Sequence, residues 1–340
     1  MPRFRLLRLL ATDMAQMQPN CMLPSGLKKM RICQCDLMVT GHHHGKHRKL
    51  LIMARQYRID DLVDFATYPL DQTNSIAYKN AVDDARSQLQ QDGCAVITNL
   101  LRPTAVRVIS QEIVERKSTT HFSTSKMNPY FHSTKNPKYP DHHPVNTFIE
   151  RSSGFIPGDS WNSSLAIDVL FRSDLLTNFI RDALETEAVH CYADPLAGLT
   201  ANILDPGQQF AWHFDTNEFA VTAMIDEANE GGLFQYVPMI RNPDDEAFEK
   251  IQQVLDGNLE TVKTLELHAG DLQIFRGRHS LHRVTRVPKT SRPRHAAIFA
   301  YTAEPGVIGR VERTKQLFGR VLPAHEEAEK KRVRTDQLID

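Results

Sequence analysis

The tightest constraint on this chain is the run Gln208-Gln-Phe-Ala-Trp-His-Phe-Asp215, completed far downstream by Leu281-His282-Arg283-Val284. His213 and Asp215 stand two apart, and strand side chains alternate faces with a period of two. One imidazole and one carboxylate therefore point the same way, and His282 brings a second imidazole from another strand-like run. Two histidines and one carboxylate on a single octahedral face suit ferrous iron and leave the remaining positions open. A lone His-x-Asp is weak, because these residues often meet in loops. Here the pair ends an apolar run, and the chain between it and His282 is long enough to build a barrel's strands.

A further apolar strand opens at Arg294, on which Arg294, Ala296, Ile298 and Ala300 share one face. Small alanines beside the arginine leave room for a ligand. A guanidinium inside a barrel is costly unless an anion meets it, and its planar fork matches a carboxylate. Two assignments stay open at this level. His279 stands three residues before His282 and competes with it as the third ligand. His282 is favoured because it enters a Val-Thr-Arg-Val strand, whereas His279 sits in the Gly277-Arg-His-Ser turn. Arg292 competes with Arg294 as carboxylate anchor, but only Arg294 begins the apolar run.

Around these residues the periodicity predicts helices over 78–91, from Pro103 to Val114, and over 163–184. Residues 120–160, rich in His, Pro, Asn and Ser, read as a long loop of the kind that covers a pocket. From Leu199 the pattern turns to short strands, interrupted by a polar insertion at 242–258 with a helical centre. About eight strands on a helical layer predict a mainly β double-stranded β-helix, a cupin-like jelly roll. The division expected is a helical support and lid region at 58–190, a catalytic core at 191–310 and a charged, surface-helical tail at 311–340.

Lys+Arg and Asp+Glu balance at 41 each, so no global field argues for nucleic acid or a membrane surface. No apolar run approaches the ~18 residues of a membrane span. Five cysteines without a CxxC pair point to a reducing compartment, where iron also stays ferrous. Residues 1–57 are basic and acid-poor, and they read as a disordered extension, a start-codon artefact with the working protein beginning near Met53, or a transit segment. The expected location is cytoplasmic, or mitochondrial on the transit reading. The histidines at 42–44 and 47 read as a solvated polar tract.

Four stretches resemble Fe(II)/2-oxoglutarate-dependent oxygenases. They are Asp194-Pro-Leu-Ala, Trp212-His-Phe-Asp-Thr-Asn-Glu-Phe, Gly231-Gly-Leu-Phe-Gln-Tyr-Val-Pro and the Gly270-to-Thr285 run. They are similar to the subgroup of free-amino-acid radical halogenases and their hydroxylase relatives, with the resemblance covering roughly 93–309 and including His143-Pro144. The resemblance implies that His213, Asp215 and His282 bind iron, that Arg294 holds the C5 carboxylate of 2-oxoglutarate, and that Asn202 contacts this co-substrate. O2 is the third reactant. Leu204 replaces an aromatic hydroxyl common in relatives, and Arg286 stands where they usually have proline. The halogenases carry glycine where this chain has Asp215, so the resemblance implies hydroxylation or a related oxidation rather than chlorination.

The expected reaction oxidises an unactivated C–H of a small polar substrate, such as an amino acid, with release of succinate and CO2. A peptidyl, prolyl-type hydroxylase and a non-catalytic jelly-roll binding module are the alternatives. Trp212 and Phe214 alternate away from the ligands and are expected to pack; Asn217, Glu218 and Thr222 are expected near the pocket mouth.

Overall fold

The computed structural model describes residues 57–217, 219–331 and 338–339. The expectations for residues 1–56, and that for Glu218, lie outside them. Among the described residues twelve strands form two sheets. The large sheet runs in the order β1 (Cys94–Ile97), β10 (Leu272–Phe275), β7 (Phe219–Asp226), β12 (Arg294–Thr302), β5 (Leu199–Leu204), β3 (Ile149–Ile156) and β2 (His121–Met127). The two-residue β4 (His190–Cys191) pairs with β12. The small sheet runs β6 (Phe210–His213), β11 (Leu281–Val284), β8 (Phe234–Val237) and β9 (Lys263–Leu265). All pairings are antiparallel, and the two sheets face each other as a double-stranded β-helix.

Alternation sorts the large sheet into two faces. Val221, Ala223, Ile274, Ala297 and Phe299 pack outward in one core with the helices. Those helices are α1 (Ile59–Leu62), α2 (Ile76–Asp92), α3 (Pro103–Arg116), α4 (Ala166–Phe171) and α5 (Asp174–Leu184). Phe155, Leu204, Met224 and Phe275 point inward, in a second core shared with Phe210, Phe234 and Val284 of the small sheet.

The helix ends follow local chemistry. Ser75 caps α2 by accepting from Tyr78 N–H, and Gly93 ends it at φ 65°, a left-handed conformation that favours glycine. Pro103 occupies the first turn of α3, where its missing N–H costs nothing. The single helix expected over 163–184 is two, because the chain turns at Arg172–Ser173 and the Ser173 hydroxyl caps α5.

Two larger expectations need correction. Residues 120–160 are not a loop throughout, since β2 and β3 pair over seven positions at the edge of the large sheet. Their polar inward residues (Ser123, Ser125, Arg151, Ser153) hid the apolar alternation that marks a strand. The tail after Arg310 is helical as expected, as α7 (Val311–Phe318) and α8 (Pro323–Lys331), with α6 (Phe248–Leu255) earlier in the polar insertion. It is not simply a surface tail: Thr314, Phe318 and His325 are buried, and α7 packs over β2 and β3. His325 meets Asp194 at 3.1 Å with both side chains fully buried. Asp194 also accepts N–H bonds from Leu196, Ala197 and Gly309. The Asp194-Pro-Leu-Ala stretch is thus a turn that anchors α8.

Candidate metal and co-substrate site

β6 and β11 bring the imidazoles together. His213 and His282 are direct cross-strand partners, and the register slips between His282 and Val284, which lies opposite Phe210. This bulge turns both Phe210 and His213 inward although they are three apart, with ring centroids 4.2 Å from each other. Asp215 lies beyond the end of β6, so strand alternation does not place it. Its N–H donates to Gly277 O at 3.1 Å, which fixes the segment beside the turn before β11. One oxygen of Asp215 then lies 3.7 Å from His213 Nε2 and 3.4 Å from His282 Nε2. Ligand atoms of the three residues fall within 4.8 Å of one another, a spacing that one ion can span.

The tautomers suit metal binding. His213 Nδ1 lies 2.8 Å from Ala211 O, and His282 Nδ1 lies 2.9 Å from Ser280 O. A carbonyl only accepts, so each Nδ1 carries a proton and each Nε2 is the ring atom turned towards Asp215 and a metal. Burial, then the neighbouring His282, holds His213 well below its usual pKa and keeps it neutral. Burial alone would raise the Asp215 carboxyl, but His282, His213 and Arg313 outweigh it and hold the pKa at about 2. A neutral His213 beside an ionised Asp215 suits a divalent cation.

Arg294 is 3% exposed on the inner face of β12, opposite Leu204, and its Nε has no partner. Burial lowers its pKa to about 10. With Met224, Phe234 and Leu267 it lines a small cavity. Gly232 at φ 62° makes room, since a Cβ there would stand 3.1 Å from Arg294 Cδ. Arg292 is exposed and donates to Glu227 O at 2.7 Å. Asn202 is buried opposite Ala296 on the inner face and donates to Gly154 O at 3.2 Å. A His₂Asp donor set and an unpaired buried guanidinium fit iron and a dicarboxylate.

His279 stays in its turn and is not among the converging ligand atoms. Trp212 and Phe214 pack on the far side of the small sheet with Tyr130, Ile251 and Leu281, as their alternation implied. Thr222 pairs with Ile298 and Gln273 within the large sheet, and Asn217 is partly buried. Sequence reasoning missed three contributors. A Cβ on Gly277 would fall 1.9 Å from Asp215 Oδ2, so this glycine cradles the carboxylate. Phe131, at φ 65°, sets its ring 5.2 Å from His213. The charge of Arg313, on α7, helps hold the Asp215 pKa down. Only Gly277 left a trace, as one of the glycines around the Arg-His-Ser turn.

The Halogenase D family model matches residues 150–315, a span that contains the triad and Arg294. No curated protein matches the chain. Among solved structures the chain is similar to an oxidoreductase of the 2OG-Fe(II) oxygenase family from Burkholderia pseudomallei, at 13% identity and TM-score 0.46, over 66% of this chain and 92% of that one. A Pseudomonas putida prolyl-4-hydroxylase matches at 13% and 0.40, over 65% and 98%. HygX from Streptomyces hygroscopicus, solved with nickel, 2-oxoglutarate and hygromycin B bound, matches at 13% and 0.42, over 64% and 85%. The chain is thus similar over about half its length to the Halogenase D family, and within that span the described residues bring together a donor set that one metal ion can share.

No helix among the described residues is long and apolar enough to cross a membrane.

Proposed function

We propose that this enzyme hydroxylates an unactivated C–H of a small polar substrate. The carrying observation is Asp215, whose oxygen stands within 3.7 Å of both imidazole Nε2 atoms. A carboxylate there takes the ligand position that halide chemistry would need free. In this reading His213, Asp215 and His282 hold the iron, Arg294 holds the distal carboxylate of 2-oxoglutarate, and Asn202 contacts the same co-substrate. Iron and 2-oxoglutarate together supply the oxidising power, with succinate and CO2 released.

The chain's own part is to hold, orient and keep dry. The carbonyls of Ala211 and Ser280 fix both imidazole rings. Phe131 and Phe210 crowd His213, at 5.2 Å and 4.2 Å, while Phe275 and Phe234 crowd His282, at 4.9 Å and 5.6 Å. These rings exclude water and strengthen every electrostatic contact inside. Such crowding supports a compact substrate over an extended peptide. The test is succinate release with Fe(II), 2-oxoglutarate and O2 across a panel of small polar metabolites, with mass detection of a product one oxygen atom heavier. The His213→Ala variant should give neither. Chlorinated product in the presence of chloride, or turnover unaffected by His213→Ala, would overturn the reading.

A further inference from the structure

A carboxylate that could spoil the Arg294 pocket is turned away from it. Met224 of β7 points inward, and Ile225 packs outward with the helices. Strict alternation would put Asp226, the last residue of β7, on the inner face, where Arg294 stands. The pairing with β12 breaks that alternation. His295 lies opposite Asp226 and Ala296 opposite Met224, so Ile225 is an extra residue and β7 bulges. Past the bulge Asp226 faces outward. Its Oδ2 accepts from His295 Nδ1 at 2.8 Å, and Ser110 Oγ donates a bond shared by both oxygens, at 3.0 and 2.9 Å. Ser110 belongs to α3, which packs on the outer face of β7.

Among the described residues no hydrogen bond or ion pair holds the Arg294 guanidinium. Its Nε is buried without a partner, and burial is the single influence on its pKa. Glu227 lines the same cavity but is taken up by Ala269 N–H at 2.8 Å and by His268 at 3.3 Å. The His295–Asp226 rung is the last between β12 and β7 before Arg294, and the bulge disrupts the backbone ladder there. A charge-assisted side-chain bond is suited to close it. His295 is buried, and its Nε2 has no partner. A ring kept only to fill space would not leave a nitrogen unmet, so the imidazole serves its bond to Asp226. Released from that bond, the carboxylate would regain the inner face that alternation gives it. There the guanidinium would pair with Asp226 in place of a dicarboxylate.

We infer that His295 is a positioning residue for co-substrate binding: with Ser110 it holds Asp226 on the outer face across the bulge, and so keeps the Arg294 fork unpaired for a distal carboxylate. This deepens the proposed function and rests on it. The probes are 2-oxoglutarate and 2-oxopentanoate, which share the chelating end and differ in the distal carboxylate. Each is titrated calorimetrically into the Mn(II)-loaded full-length protein, and the ratio of the two affinities reads the hold on that carboxylate. His295→Phe should lower the ratio about tenfold or more, as when a ligand's supporting partner is lost. Its 2-oxopentanoate affinity should stay within about twofold of wild type, whereas a loosened fold would weaken both probes. His295→Asn, whose amide can still donate to Asp226, should keep the ratio within about twofold. In an Arg294→Met background His295→Phe should change the ratio by less than about twofold, because the fork it serves is gone. Ser110→Ala removes one of the two holds on Asp226 and should lower the ratio about threefold, and it carries the test if His295→Phe does not fold. An unchanged ratio in His295→Phe, or in Ser110→Ala where that variant stands in for it, would overturn the inference. So would equal loss of both probes, a ratio in His295→Asn as low as in His295→Phe, or a further drop in the Arg294→Met background. Failure of the wild type to prefer 2-oxoglutarate, or of Arg294→Met to remove that preference, would instead remove the functional reading beneath it.

Discussion

His213 and His282 stand directly opposite each other on β6 and β11, with ring centroids 4.0 Å apart. A backbone register, rather than side-chain packing alone, therefore sets the spacing of the two imidazoles. The carboxylate is held differently. Asp215 lies past the strand end, and its place depends on the turn that carries Gly277.

That dependence makes Gly277→Ala informative. The added methyl would start 1.9 Å from Asp215 Oδ2, so the carboxylate must leave. Metal affinity should fall by about 10–100-fold, the range seen when a ligand's support is lost. Calorimetric titration with Mn(II) reads this, and an unchanged affinity would show that the carboxylate is not required where it stands.

Asn128 is expected to matter through Phe131. Its Oδ1 accepts from Tyr130 N–H at 3.0 Å and His132 N–H at 2.9 Å, and its Nδ2 donates to Val145 O at 2.6 Å. These bonds close the turn that holds Phe131 at positive φ against His213. Asn128→Ala should cost about 2–4 kcal/mol, since buried partners are left unmet. Urea denaturation measures it, and a loss under about 0.5 kcal/mol, the lower end for one hydrogen bond, would refute the role.

Stability at acid pH should depend on Asp226. Burial pushes this carboxyl up, but hydrogen bonds from His295 and from Ser110 of α3 outweigh it, and its pKa lies below the usual value. A depressed folded pKa gives stability that is present above the unfolded value, about 3.9, and lost as pH falls through the folded one. Asp226→Asn should destabilise the protein at neutral pH and flatten the fall in stability below about pH 4. Denaturation midpoints across pH 2–7 check this; parallel curves for both proteins would contradict it.

How much of this was legible in the sequence differs by element. The jelly roll and the ligand strands could be read because Phe210 to His213 and Leu281 to Val284 are apolar, short and bounded by turns. Arg294 could be told from Arg292 because only one opens an apolar run, and the structure buries that one and exposes the other. The β2–β3 hairpin could not be read, because its inner face carries serines and an arginine where a strand normally carries apolar residues. Arg313 was hidden for a similar reason. In a charged helix nothing in the local pattern separates an arginine that turns inward from those that face water.

The central claim is that three side chains hold one divalent ion while Arg294 holds the far carboxylate of 2-oxoglutarate. Its most direct test is calorimetric titration of 2-oxoglutarate into the Mn(II)-loaded protein, beside Asp215→Ala and Arg294→Met. The account predicts one site in the wild type, no metal-dependent uptake in Asp215→Ala, and affinity lowered about 100-fold in Arg294→Met, as expected when one side of a buried charge pair is removed. Wild-type affinity in either variant would contradict it.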